Sequence, residues 1–147
     1  MAKDKWRVFL DTSAILAGLN SPHGAAGAVL GLCFSRDVDA LISKQVIDEA
    51  DRNIAKKFPK LLDGWRSFLL LPPTLIGDPS EREIQRAFRL LPTSDAPILA
   101  AAIKARPNFL ITWNTRDFLR RAVVEKTPFV ICTPGEFLEN YRRTFAL

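Results

Sequence analysis

Trp6-Arg7-Val8-Phe9-Leu10-Asp11-Thr12-Ser13-Ala14-Ile15-Leu16 reads as a strand that runs straight into a helix. The first five residues are a short β-rich run, Asp11 stops it, and residues 13–19 continue at helical spacing. The pattern recurs down the chain. Residues 25–34 carry small and apolar residues at helical spacing after the Asn20-Ser21-Pro22-His23-Gly24 break, and Gly24, Gly27 and Gly31 are expected to permit close packing. Leu41-Ile42 is a brief strand. Ser43 is placed to cap a helix over 44–57 whose apolar stripe is Val46, Ile47, Ala50 and Ile54. A short helix over 61–71 ends before Pro72-Pro73, and a charged helix over 79–90 is entered through Gly77-Asp78. The second half repeats the alternation with a buried helix over 97–105, a strand over 109–112 and a basic helix over 115–123. A last strand over 129–132 and a helix over 134–141 complete it. Short apolar strands alternating with helices predict an α/β fold, a parallel sheet covered by helices on both faces. In such folds ligands bind at the carboxyl ends of the strands.

Length and composition predict one domain over 1–147: 147 residues, 48% hydrophobic and 25% charged, can build a real core. The 21 Lys and Arg against 16 Asp and Glu leave a net charge of +5, a bias toward an anionic partner. Cys33 and Cys132 lie far apart in apolar stretches and read as buried thiols of a cytoplasmic protein. With a single histidine and no close Cys/His pair, a zinc site loses its raw material, so any metal must be held by oxygen. No membrane span is expected, because the break at 20–24 divides the uncharged stretch 12–35 into halves well short of about 20 apolar residues. Asp11 also interrupts any apolar region of a signal peptide.

Four acids stand out. Asp11 and Asp95 each precede a helix and could be caps, Glu49 could be a solvated charge, and Asp117 could cap or pair with Arg120 or Arg121. Taken together, three of them sit where strands end or buried helices begin, points that a parallel sheet brings to one edge. Clustered carboxylates stay ionised only beside a compensating cation, and an all-oxygen set points to Mg²⁺ or Mn²⁺. One or two such ions could activate water for attack on a phosphodiester, with the excess Lys and Arg holding a nucleic-acid backbone outside the pocket. Arg116, Arg120 and Arg121 are expected on one basic helix beside Asp117, suited to phosphate contact. Trp113 could stack on a base or pack at the rim.

Residues 8–16 (VFLDTSAIL), 43–49 (SKQVIDE), 94–102 (SDAPILAAA) and 112–118 (TWNTRDF) resemble, in order and spacing, the four acidic motifs of the PIN domain. The resemblance spans nearly the whole chain and implies a three-layer α/β/α fold with a central parallel sheet. It implies a metal-dependent ribonuclease for single-stranded RNA, often the toxin of a VapC-type toxin–antitoxin pair, and hence an antitoxin protein as partner and a homodimer. Asp11 and Asp95 match as metal ligands, with Ser13 or Thr12 as a nearby hydroxyl that could orient a ligand or water. Glu49 matches by its spacing from Ser43, in preference to Asp48. In the last motif the residue directly after the strand is Asn114 and the acid is Asp117, so either could serve, directly or through a water. Two other readings stand beside this one. Asp11-Thr12-Ser13 also loosely resembles the nucleophile motif of haloacid dehalogenase-type phosphatases, which needs an acid or threonine where Ser13 stands. The other is a PIN-like module that binds RNA or protein without cleaving.

Overall fold

The computed structural model describes residues 5–145. The ends of the expected domain, 1–4 and 146–147, lie outside the described residues. Five parallel strands, β1 (Arg7–Leu10), β2 (Asp39–Ile42), β3 (Thr74–Leu75), β4 (Phe109–Ile111) and β5 (Val130–Cys132), form one sheet in the order β3-β2-β1-β4-β5. The chain therefore lays strands outward from β1 to β3, then returns to the other side of β1 with β4. The crevice between β1 and β4 is the switch point of the topology, where α/β sheets leave room for a ligand.

The helices follow the apolar stripes in the sequence. After β1 come α1 (Thr12–Asn20) and α2 (Ala25–Phe34); after β2 comes α3 (Lys44–Lys57), then a 3-10 turn (Pro59–Leu61) and α4 (Leu62–Leu70). Ser43 caps α3 by accepting the Val46 amide at 3.2 Å, and Val46, Ala50 and Ile54 are the stripe it buries. α5 (Glu81–Leu90) begins at a reciprocal cap between Ser80 and Glu83, two residues beyond the start at 79 expected from sequence. Then follow α6 (Ala96–Ala105), α7 (Thr115–Phe118), α8 (Arg121–Lys126) and α9 (Pro134–Phe145). The core at the sheet holds Phe9, Leu10, Ile15, Leu99 and Ile111, all fully buried.

Three expectations need correction. The basic helix over 115–123 is two helices, α7 and α8, broken at Leu119-Arg120. Phe118 and Val123 are both fully buried, and at about 100° per residue a continuous helix would point them about 140° apart, so the break brings both to the core. β3 was not expected: it is two exposed residues at the sheet edge just after Pro72-Pro73, too short for an alternating pattern. Of the glycines in α2, Gly27 does pack closely, whereas Gly31 faces open space with nothing within 4 Å of where a Cβ would stand. Burial pushes the thiols of Cys33 and Cys132 up to about 12, with Glu136 adding to the effect on Cys132, so both are inert as nucleophiles at neutral pH.

Candidate active site

Asp11 is carried to the switch point by β1, and its backbone is tied to the neighbouring strand by its amide, which donates to the Ile111 carbonyl at 3.1 Å. It stands at the first-cap position of α1 without capping it; the side chain makes no hydrogen bond to the helix amides. Instead its Oδ2 accepts from Ser13 Oγ at 2.9 Å and from Thr112 Oγ1 at 2.8 Å. Those hydroxyls are in turn filled by backbone donors, the Trp113 amide on Ser13 Oγ at 2.9 Å and the Asn114 amide on Thr112 Oγ1 at 2.8 Å. A hydroxyl that accepts from an amide can turn its single hydrogen to Asp11. Two parallel relays thus lock one oxygen of Asp11 and stitch the end of β1 to the turn after β4.

The other acids meet it there. Asp95, at the start of α6, likewise forms no helix cap with its side chain. Its Oδ2 accepts from Asn114 Nδ2 at 2.9 Å, and the same amide nitrogen donates to Asp117 Oδ2 at 3.1 Å. Asn114 thus bridges the two acids with its hydrogens, while its Oδ1 faces the Asp117 amide at 3.4 Å and caps α7. Glu49, in the second turn of α3, is half-buried, and Asp48 beside it is exposed.

Electrostatics couples these positions. The pKa of Asp11 is raised by burial, which outweighs the opposing pull of the Thr112 and Ser13 hydroxyls and the nearby amides of Thr12 and Ser13. Glu49 is raised by burial and then by the charges of Asp11 and Asp95, with Arg52 and the Thr12 hydroxyl pulling down. Asp95 is raised by burial and by Asp11 and Asp117, against the Asn114 hydrogen bond. Asp11 and Asp95 thus disfavour the charged form of Glu49, and Asp11 that of Asp95.

Because these folded-state pKa values are raised, the folded protein holds protons more tightly than the unfolded chain, and the penalty is greatest at neutral pH. In EDTA, stability is expected to rise as pH falls from 7 through the raised values, and the gain ends near the ordinary carboxylate range, about 4. Urea midpoints at pH 7 and 5 check this, and Asp11→Asn should lose part of the rise; an identical pH dependence in the variant would refute it.

Thr12 Oγ1 and Gln45 Oε1 are the buried side-chain polar atoms without a hydrogen-bond partner among the described residues. Thr12 lies near enough to Glu49 to favour its charge but outside hydrogen-bond geometry. An orphaned hydroxyl beside carboxylates whose crowding outweighs the pull of Arg52 on Glu49 is an oxygen set that fits a hard cation. Among the described residues no three carboxylate, imidazole or thiol groups stand as a ready ligand group for a metal ion. The Asn114 amide supplies the partial positive charge between Asp95 and Asp117.

The remaining expected residues are dispersed. Arg116 and Arg120 are exposed, with no ion-pair partner among the described residues, whereas Arg121 is paired with Glu125 at 2.7 Å in solvent. The three do not share one helix face, because α7 and α8 are separate. Thr112 is the residue whose part the sequence did not disclose. Its hydroxyl is fully buried against Asp11, yet after Phe-Leu-Ile it reads as one more β-branched strand residue.

The profile of the PIN domain family matches residues 7–116, and the chain belongs to that family, which places it among nucleases. No curated protein matches the sequence. Among solved structures the chain is similar to PAE2754 from Pyrobaculum aerophilum, with a TM-score of 0.60 and 19% identity, covering 92% of this chain and 94% of that one. It is similar to VapBC2 from Rickettsia felis, solved bound to a DNA fragment from their promoter, with a TM-score of 0.58, 18% identity and coverage of 86% and 98%. FitAB, solved bound to a DNA fragment, matches with a TM-score of 0.59, 15% identity and coverage of 86% and 94%. These likenesses establish the three-layer α/β/α architecture. No helix among the described residues is long and apolar enough to cross a membrane.

Proposed function

We propose that the chain, acting as a single domain, is a Mg²⁺- or Mn²⁺-dependent endoribonuclease that cleaves single-stranded RNA, and that it is the toxin of a toxin–antitoxin pair. The observation that carries the reading is the hydrogen-bonded cluster at the switch point, where Ser13 and Thr112 hold Asp11 and Asn114 bridges Asp95 and Asp117, with Glu49 near enough to feel the charges of Asp11 and Asp95 and the Thr12 hydroxyl outside hydrogen-bond geometry beside it. Asp11, Glu49, Asp95 and Asp117 would hold the cation. Bound there, it would supply a polarised water and offset charge on the phosphodiester. Ser13 and Thr112 fix one oxygen of Asp11 and leave the other for the ligand side. Asn114 presents hydrogens rather than its oxygen to the acids, so it is assigned to positioning Asp95 and Asp117. Arg116 and Arg120 are free to meet phosphates outside the acidic pocket. The likeness to VapBC2 and FitAB supports an antitoxin partner, and a homodimer belongs to the same reading.

The test incubates the protein with a labelled single-stranded RNA, with and without Mg²⁺, and with a small phosphomonoester. Metal-dependent cleavage of the RNA alone is expected. Phosphomonoester hydrolysis would indicate a phosphatase, and binding without cleavage a recognition module. Either result would overturn the reading.

The half-buried Glu49 and its exposed neighbour give a sharper check. Glu49→Gln is expected to lose cleavage, most severely at limiting Mg²⁺. Asp48→Asn should keep its rate and change stability by no more than about 0.5 kcal/mol. Rates of both variants at saturating and limiting Mg²⁺ decide it, and an inactive Asp48→Asn beside an active Glu49→Gln would reverse the assignment.

A further inference from the structure

Three tryptophans occupy three different environments. Trp6 packs among Phe109, Phe137, Tyr141 and Phe145 with ring centroids 4.7–5.8 Å away. Trp65 is 1% exposed, stacks on Phe68, and donates from Nε1 to Asp51 Oδ1 at 2.7 Å. Trp113 is 49% exposed, and its indole makes no hydrogen bond, aromatic contact or cation contact among the described residues. Its backbone is nevertheless among the most firmly held in the site. The amide donates to Ser13 Oγ, and the residues on either side are Thr112, bonded to Asp11, and Asn114, bonded to Asp95 and Asp117.

The ring borders a depression of about 280 Å³ between the end of α1 and the start of α2, lined by Ala17, Asn20, Ser21 and Gly24. Its lining is mostly apolar, from Ala17, Ala25 and Ala26 beside the indole. Its polar part is an amide and a hydroxyl that are exposed and make no side-chain hydrogen bond. An unpartnered indole face, a shallow apolar seat and an edge of donors and acceptors match the three faces of a nucleobase: π surface, ring plane and hydrogen-bonding edge.

Resting on the ribonuclease reading above, we infer that Trp113 and this depression seat one unpaired nucleobase of the substrate, next to the phosphodiester at the acids. Asn20 and Ser21 then face its edge. A base already stacked in a duplex cannot offer its face to the indole, so the seat selects for single strands. Stacking tolerates any base, and Asn20, with two donors and one acceptor group, is where preference among bases would arise.

The experiment uses the full chain in EDTA, so that binding is read without turnover, with a short labelled single-stranded RNA as probe. Trp113→Ala is expected to bind roughly 5- to 150-fold more weakly, the loss of one base stack, while Trp113→Phe stays within a few-fold of the parent. Indole emission of the parent should be quenched by the RNA, and that of Trp113→Phe, which keeps Trp6 and Trp65, should not. Asn20→Ala should alter the ranking of single-base variants of the probe. Equal affinity of Trp113→Ala, with unquenched emission in a parent that still cleaves the RNA with Mg²⁺, would overturn this inference and leave the ribonuclease reading standing. A parent that neither binds nor cleaves single-stranded RNA would overturn both. Quenching by a protein partner but not by RNA would overturn the nucleobase seat in favour of a protein contact.

Discussion

Asp11→Asn is expected to lower Mg²⁺-dependent cleavage of single-stranded RNA by about 100-fold or more while leaving the fold intact. The size follows from the several kcal/mol that a correctly placed cation contributes to a phosphodiester transition state, each 1.36 kcal/mol being about tenfold in rate. The fold survives because the asparagine carbonyl oxygen can accept the same two hydrogen bonds that Ser13 and Thr112 now give to Oδ2. Removing a buried charge also relieves Glu49 and Asp95, so in EDTA at pH 7 the variant should melt no lower than the parent. In the parent, Mg²⁺ should raise the melting temperature in a concentration-dependent way, and in the variant this shift should shrink. Cleavage rates and thermal melts on the same preparations check the prediction. Full Mg²⁺-dependent activity in a folded Asp11→Asn would remove Asp11 from the metal site.

Gly27→Ala and Gly31→Ala, one helical turn apart in α2, are expected to move stability in opposite directions. A Cβ at Gly27 would run into the carbonyl of Pro22, which belongs to the turn joining α1 to α2. Backbone cannot swing aside as a flexible side chain can, so the cost should be about 1–3 kcal/mol or more. A Cβ at Gly31 meets nothing within 4 Å, and alanine is the better helix former, so that variant should gain about 0.5–1 kcal/mol. Urea melts of the two variants test both signs. A Gly27→Ala protein as stable as the parent would show that the turn can yield, and with it the wall of the depression beside Trp113.

Much of this was legible in the chain. Val8-Phe9-Leu10 followed by Asp11 is a strand with an acid at its end in any parallel sheet, and the helix signals around Ser43 and Pro97 are local. What was not legible needed contacts between residues far apart. The break in the basic helix depends on Phe118 and Val123 finding the same core. The service of Thr112 depends on its hydroxyl lying against Asp11, and the direction of the Asn114 amide depends on where Asp95 and Asp117 stand. Local rules also allow Asp11 and Asp95 as helix caps, the alternative to metal ligands, yet neither side chain makes a cap bond. Their oxygens are drawn instead by partners that the local rules do not see.

The bond between Asp11 and Thr112 joins residues 101 apart in the chain, and Trp113 reaches Ser13 across 100. A ribosome that has released the first half of the sequence has therefore released Asp11 and Glu49 without the hydroxyl, the amide bridge or the last acid that complete their surroundings. On the proposed reading, a chain that stops short of β4 carries no complete site. The site is assembled when β4 and the turn behind it close against β1, a long-range closure of the slow kind. For a protein whose proposed substrate is single-stranded RNA, this order of events keeps Asp11 and Glu49 apart from a complete site until the turn behind β4 has been made.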